Sequence, residues 1–407
     1  MRRFLILSVL ALVTSLLALG CSSAPQGPKP LMVWSGMDAE YPTLVAQCQR
    51  FTQETGIPVE VLKVPFQDLR NKFLIAAPAS LGPDVLVGPQ DWIGVLVTAG
   101  MLAPIPEGTI DTRQFFPVTI DSVKFQQKLY MAPLAMECIA LFRNKDLMPQ
   151  RPQTVPQLIA QAQKIQRQSQ GKVRGFYFEI KDLYFSLPFL TAEGAYLLGR
   201  DAQGNYVPTD VGIATPGAVR GAEFLRDLVQ KDKLIQLGAT ENISRTIFLE
   251  NQAAVILNGP WFLKQAKEAG INYAIDPFPL TASGHQPRPV LGVQGFMINT
   301  YSKRPAEAAQ LISYLESAPN MAQMSLVSGR PPTKMAALQL CQGDPDILAF
   351  AKICSECIPM PTHPAVGQIW EPMRQSLEMI SKGQVEPAPE LQSARERIIQ
   401  KINLMLE

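Results

Sequence analysis

Residues 254–263 read AVILNGPWFL. An apolar run is cut off by Asn258-Gly259-Pro260, and Trp261 follows at once. Apolar runs bounded by Gly and Pro read as buried strands ending in a turn. A large aromatic at that point is either core or a flat face offered to a ligand, and the local pattern leaves both open. Acids occupy comparable positions elsewhere. Asp38 follows the strand-like run LMVWSG (31–36), and Asp91 with Trp92 follows PDVLVGP (83–89). Loops at the carboxyl ends of strands are where α/β folds gather ligand-binding groups, although Asp38 equally fits a helix N-cap. Trp370 and Arg374 stand one helical turn apart on one face. Arg374 can there reach a ligand hydroxyl or pair with a surface acid. Asp182 and Tyr184 share a further loop.

The chain is poorly equipped for metal or redox chemistry. It holds two histidines, His285 and His363, and the lone C-x-x-C at Cys354–Cys357 would need further ligands to hold zinc. No metal and no cofactor is expected. The net charge is +2 with no long Lys/Arg run, so nucleic acid is not an expected partner. The N-terminus is distinctive: MRRF and then LILSVLALVTSLLAL have the make-up of a signal peptide over residues 1–20. It ends in Ala18-Leu19-Gly20-Cys21, a loose match to the bacterial lipobox, with Ala18 and Leu19 at −3 and −2. Cys21 is the expected lipidation site, and the Pro-rich segment to residue 30 the tether. Export permits disulfides, and the odd number of remaining cysteines leaves at least one thiol unpaired unless chains are bridged. The expected pairing is Cys341 with Cys354 or Cys357, whereas Cys48 reads as core.

The elements that must position these residues alternate. Strand-like LMVWSG precedes a helix over 43–55, with Leu44, Cys48 and Phe51 on one face and Gly56 as its C-cap. IPVEVLKV (57–64) and PDVLVGP follow as strands. That order predicts a mostly parallel α/β sheet. Thr154 and Thr215-Pro216 are helix starts. KVRGFYF (172–178), AAVILN (253–258) and INYAIDPF (271–278) read as strands of a second α/β unit. PVLGVQGFMINT (289–300) is a further strand, and the C-terminal part is helical. No internal repeat is evident, and no mature stretch is apolar for long enough to span a membrane.

Several segments in order resemble the extracellular solute-binding proteins of ATP-dependent importers, in particular the maltose-binding-protein-like sugar-binding group. They are LMVWSGMDAEY, RFTQETGIPVEV, GPDVLVGPQDW, VTAGMLAPI, LYMAPLAMECIALFRNKDLMP, DLYFSLPFL, NYVPTDVGI, AAVILNGPWFL, LGVQGFMINT and QIWEPMRQSL. They span nearly all of the mature chain. The resemblance implies a periplasmic binding protein-like fold, with two α/β lobes joined by a multi-strand hinge and a ligand cleft between them. Residues 30–136 with 290–338 would form one lobe, and 137–289 with 339–407 the other. It implies a monomeric, lipid-anchored receptor on the extracytoplasmic face of a bacterial membrane, delivering its ligand to ABC permease subunits.

A sugar presents apolar C–H faces that stack on aromatic rings and hydroxyl edges that need planar donors and acceptors. By the family's phrases, Trp261, Trp370 and Tyr184 fall on stacking positions. Asp91 and Glu137 fall on hydroxyl-binding acids, and Asp38, Asp182, Arg330 and Arg374 are further candidate contacts. Trp92 stands where a basic residue is usual, so its role is open, and Trp34 reads as core. The departures are Gly88 and Leu187 in place of platforms and Ala39 in place of a Lys. They imply a disaccharide or small glycoside, a description that sucrose, trehalose and glucosylglycerol all meet. The rivals are the same fold binding a glycerol phosphate ester, polyamine or iron, or a secreted glycosidase using Asp91 or Asp38 with Glu137.

Overall fold

The run LMVWS forms β1 (Leu31–Ser35), and α1 (Tyr41–Thr55) follows with Leu44, Cys48 and Phe51 buried along one face, as their spacing predicts. The structure is a computed structural model and describes residues 29–406. Cys21 and the signal segment lie outside the described residues. The alternation continues through β2 (Val59–Lys63), α2 (Phe66–Ala76), β3 (Val85–Pro89), α3 (Ile93–Thr98) and β4 (Leu102–Ala103). After α4 (Pro117–Asp121) and the hairpin β5 (Lys124–Phe125) and β6 (Lys128–Leu129) comes β7 (Ala132–Glu137). β7 belongs to one sheet, and β8 (Ala140–Asn144), two residues on, to another.

The second sheet's helices are α5 (Val155–Gln168), α6 (Leu183–Ala192), α7 (Pro216–Gln230), α8 (Glu241–Leu249) and α9 (Leu263–Glu268). The hairpin β9 (Gly199–Arg200) and β10 (Tyr206–Val207) lies among them. The side chains of Thr154 and Thr215 accept the backbone N–H of Gln157 and Ala218, the expected N-caps. β11 (Val255–Asn258) and β12 (Tyr273–Asp276) flank β8, both antiparallel to it. The chain then runs through β13 (Val290–Asn299), α10 (Pro305–Leu315), α11 (Ala318–Ser328), α12 (Met335–Leu340), α13 (Pro345–Ser355), β14 (Ile358–Pro359), α14 (Trp370–Ser381) and α15 (Pro387–Leu406).

The first sheet has seven strands in the order β14-β13-β3-β1-β2, with β4 and β7 also pairing β13. β1 is parallel to β2 and β3, as the strand–helix alternation predicts. β13 is antiparallel to β3 and β7, because it returns from the far half of the chain rather than by a βαβ crossover. The mostly parallel expectation therefore holds for three strands, and the sheet is mixed. The run KVRGFYF, expected as a strand, makes only isolated bridges at Arg174 and Tyr177.

Alternate residues of this sheet feed two cores. Leu31, Val33, Val85, Val87, Phe296 and Ile298 point to one, with Cys48 and Phe51 of α1. Trp34, Leu86 and Met297 point to the other, which continues through Cys138, Ile139 and Phe142 into the second sheet. Trp34 is thus core, as expected.

The structure also shows a repeat that the sequence hid. Residues 85–100 and 255–270 follow one plan at constant spacing. Each has a strand, a 3-10 turn (Gln90–Trp92 and Pro260–Phe262), a six-residue helix (α3 and α9) and an Ala-Gly end.

Candidate functional site

Element ends from both sheets meet around Arg330, which follows α11. Its Nε donates to Glu137 Oε2 at 2.6 Å, and its Nη1 pairs with Glu40 Oε1. Gln294 of β13 donates from Nε2 to Glu137 Oε1 at 2.8 Å. All four side chains are buried. Burial works against the Arg330 charge, but the charges and hydrogen bonds of Glu40 and Glu137 more than offset it and hold the guanidinium protonated. Glu40 Oε2 and Gln294 Oε1 are left with no partner. Gly329, just before Arg330, admits α9 at close range: a Cβ there would lie 2.1 Å from Leu263 Cδ1.

An aromatic wall stands beside this polar centre. The Trp261 ring lies 5.9 Å from the Arg330 guanidinium, and Tyr184 is 6.3 Å away at a tilt. Two contacts fix the Trp261 ring. Its Nε1–H donates to Glu241 Oε1 at 2.8 Å, and its six-membered ring covers Gly259, where a Cβ would come within 2.1 Å. The Tyr184 hydroxyl and the Trp370 indole Nε1 are buried without a partner. Burial pushes the Tyr184 phenol well up, and the charge of nearby Glu137 adds to it.

Asp91, at the end of β3, is half-buried. Burial raises its carboxyl to about 6; the charge of Arg70 opposes this and that of Glu137 adds to it. Asp182 caps α6, its Oδ1 accepting the Tyr184 N–H at 2.8 Å. It too is raised to about 6, by burial first and then by Glu179 and Glu241, against that hydrogen bond and the charge of Arg374. Asp182 is therefore a helix cap that positions Tyr184.

Other expectations are redistributed. Asp38 does not join the cluster: its side chain is 85% exposed and pairs with Lys63 Nζ at 2.7 Å. The acid that enters is Glu40, two residues on and 1% exposed. Glu40 lies in the phrase LMVWSGMDAEY, but nothing local marks it as the inward one, because the loop before α1 has no period. Gln294 and Glu241 were missed for the same reason: each is one polar residue in an ordinary strand or helix. Trp92 is wall rather than platform. It is buried, stacks on Phe66 at 5.5 Å and lies over Gly88, where a Cβ would be 2.8 Å from the ring. Arg374 takes its surface option, forking Glu371 at 2.8 and 2.7 Å. Leu187 is core.

The cysteine expectation needs correction. Among the described residues all five cysteines are free, and Cys341 does not bridge to Cys354 or Cys357. It sits in the core under α1, α10 and α11, while Cys354 and Cys357 belong to the other core. Cys48 is core as expected, its thiol raised to about 12 by burial. No group of three or more His, Cys, Asp or Glu among the described residues is arranged to hold a metal ion, nor is any helix there long and apolar enough to cross a membrane.

Two α/β units that share a crossover, with carboxylates and aromatics gathered where their element ends meet, define a two-lobed binding protein of the periplasmic type. The chain belongs to the family described as bacterial extracellular solute-binding protein, which matches residues 46–348. It is 29% identical over 358 residues to a galactooligosaccharide-binding protein of Bacillus subtilis (strain 168), covering 85% of this chain and 83% of that one. It is 24% identical over 400 residues to a maltooligosaccharide ABC transporter solute-binding lipoprotein of Streptococcus pneumoniae, covering 93% and 92%. Among solved structures it is similar to the Thermus thermophilus maltotriose binding protein bound with maltotriose. That match has a TM-score of 0.85 and 29% identity over 91% of this chain and all of that one.

Proposed function

We propose that this protein captures a neutral sugar between its lobes and hands it to the permease of an ABC importer. One observation carries the reading. The paired charges of Glu40, Glu137 and Arg330 stand beside the ring faces of Trp261 and Tyr184. Sugar hydroxyls donate to and accept from carboxylate and guanidinium groups, and ring faces stack on the indole. Charge argues for neutrality. Arg330 is already matched by two carboxylates, so a phosphate ester would meet the acidic charge of Glu40 and Glu137 beside it. The relatives named above are described as binding oligosaccharides and are not described as enzymes. With Gly88 roofed by Trp92 and Leu187 buried, a disaccharide or small glycoside fits better than a long chain.

Trp261, Tyr184 and Trp370 are the proposed stacking groups, with Glu137, Arg330 and Asp91 as the polar ones. The lobes are taken as residues 30–136 with 290–338 and 137–289 with 339–407. The last passage is spread along α13, whose Ile347 packs in one core and Phe350 in the other. Closure follows from the extra contacts a ligand makes in the closed state. The protein is further proposed to be exported, monomeric and anchored through Cys21.

Thermal-shift screening of the mature protein tests the function. Mono-, di- and trisaccharides are compared with glycerol phosphate esters and polyamines, since binding to the native state raises the midpoint. A shift with a neutral sugar, and recovery of that sugar intact, is expected. A shift confined to phosphate esters or amines would overturn the reading, and turnover to monosaccharides would make it an enzyme. Mass spectrometry of the membrane fraction tests the anchor: an unmodified N-terminus at Cys21 would refute it.

A further inference from the structure

Three cysteines from distant segments converge behind the site. Cys138 follows Glu137, where the chain leaves β7 for the second sheet. Cys354 lies in the last turn of α13, and Cys357 directly precedes β14. Cys354 Sγ lies 3.4 Å from Cys138 Sγ, and Cys357 Sγ lies 3.3 Å from the Ile353 carbonyl oxygen. Cys48 and Cys341 take no part, since both lie in the other core. The three thiols differ in character. Burial raises Cys138 and Cys354 well above the ordinary thiol range. For Cys357 burial acts the same way, but hydrogen bonds from Cys138 and Cys354 and the charge of Arg288 outweigh it and bring the thiol down to about 5. Arg288 is held close by, its Nε donating to the Glu356 carbonyl at 2.6 Å. Cys357 is also the most accessible of the three, 7% exposed against 0% for Cys138 and 2% for Cys354. The thiol whose ionised form is least disfavoured and which is least buried is the one expected to attack.

We propose that Cys138, Cys354 and Cys357 form a dithiol–disulfide site that joins the first crossover to the end of α13 once the protein meets an oxidising compartment. The oxidant is a low-molecular-weight disulfide, RS–SR. The Cys357 thiolate attacks one of its sulfurs and expels RS⁻, leaving a mixed disulfide. Cys138 gives up its proton, attacks the Cys357 sulfur and expels the second RS⁻. Cys354 then attacks Cys138, forms Cys138–Cys354 and returns Cys357 to the thiolate. The protein gives up two protons and two electrons, and RS–SR leaves as two RSH. The two sulfurs, now 3.4 Å apart, must close to about 2.05 Å to form the bond. The bond would span 216 residues of chain, and long loops gain most from such a link. It would also pin the backbone next to Glu137, the carboxylate that holds Arg330.

The reading depends on export, but its chemistry can be tested without any sugar, so its failure is separate from that of the proposed function. The full mature chain is incubated natively with oxidised glutathione, quenched in acid, alkylated in denaturant and mapped by mass spectrometry. The expected result is one cross-link between the Cys138 peptide and the Cys354–Cys357 peptide, with Cys48 and Cys341 fully alkylated. The thermal midpoint should rise by several degrees and fall back with dithiothreitol. Cys138→Ala should abolish both effects and Cys48→Ala neither. Cys354→Ala serves as a second variant if the first does not fold, and should remove the Cys138–Cys354 link. Five alkylated thiols, a glutathione adduct that never resolves, a link to Cys48 or Cys341, or an unchanged midpoint would each overturn the proposal.

Discussion

The corner after β3 and the corner after β11 share a backbone plan and differ in what they place at two adjacent positions. In the first, Asp91 takes the half-buried position and Trp92 the buried one. In the second these are Trp261 and Phe262. The two tryptophans are therefore not equivalents. Trp92 corresponds to Phe262, a core residue, and Trp261 corresponds to Asp91. Phe66 of α2 covers the Trp92 ring, whereas beyond Trp261 stand Arg330 and Tyr184, both about 6 Å away. In the proposed site the first corner would offer a carboxylate and the second an aromatic face. The same turn geometry buries its last residue, Trp92 or Phe262, and leaves the one before it half-buried, so place in the turn, not residue type, sets burial.

The comparison can be broken most easily at the tryptophans. Trp92→Ala should destabilise the ligand-free protein by about 3–5 kcal/mol, the usual cost of emptying a large buried aromatic. Denaturant unfolding measures this. Trp261→Ala should cost much less stability and weaken sugar binding by roughly 10–100-fold, or about 1.4–2.8 kcal/mol. Reversed results from calorimetry and unfolding would mean that the two corners have been matched wrongly.

Arg330→Ala ranks next to Trp92→Ala in size. It leaves Glu40 and Glu137 buried without their cation, and breaking a buried ion pair from one side costs about 3–5 kcal/mol. Denaturant unfolding of Arg330→Ala beside Arg330→Met, which restores the packed volume without the charge, separates the two causes: if charge decides, both lose stability alike. Full recovery of stability in Arg330→Met would show that packing, not charge, accounts for the loss.

Asp91→Asn sharpens the acidic side of the comparison. The folded value of about 6 lies above the ordinary 3.8, so the native state favours the protonated acid. That contribution is fully present below about pH 4 and is lost as pH rises through about 6. The variant should match the wild type near pH 4 and exceed it by about 1–3 kcal/mol above pH 7, since a tenfold change in acidity between the folded and unfolded chain is worth about 1.4 kcal/mol. Equal stability across the range would refute the burial argument. The smallest effect belongs to Asp38→Ala, which removes an exposed pair with Lys63 and should change stability by less than about 0.5 kcal/mol. A tenfold loss of sugar affinity from this variant would restore Asp38 to the site.

Much of this architecture was legible in the chain. Amphipathic spacing marked α1, and Thr caps marked the starts of α5 and α7. Gly and Pro punctuation located β3 and β11, because these signals depend on neighbours within a few residues. The phrases around Trp261, Tyr184, Glu137 and Arg330 pointed to residues that do meet. The misses are of one kind. Glu40 in place of Asp38, the hidden duty of Gln294, the grouping of Cys138 with Cys354, and the surface pairing of Arg374 all depend on partners far away in sequence or on what the rest of the fold leaves exposed.

The sequence by itself determined the alternation of strands and helices, the positions of the corners and the family's set of polar and aromatic residues, since local propensity and period carry that information. Only the tertiary structure decided which acid turns inward, which tryptophan is roofed and which cysteines touch. Those outcomes depend on what packs against each side chain from the other sheet, and burial, charge pairing and exposure take their values only once both sheets are in place.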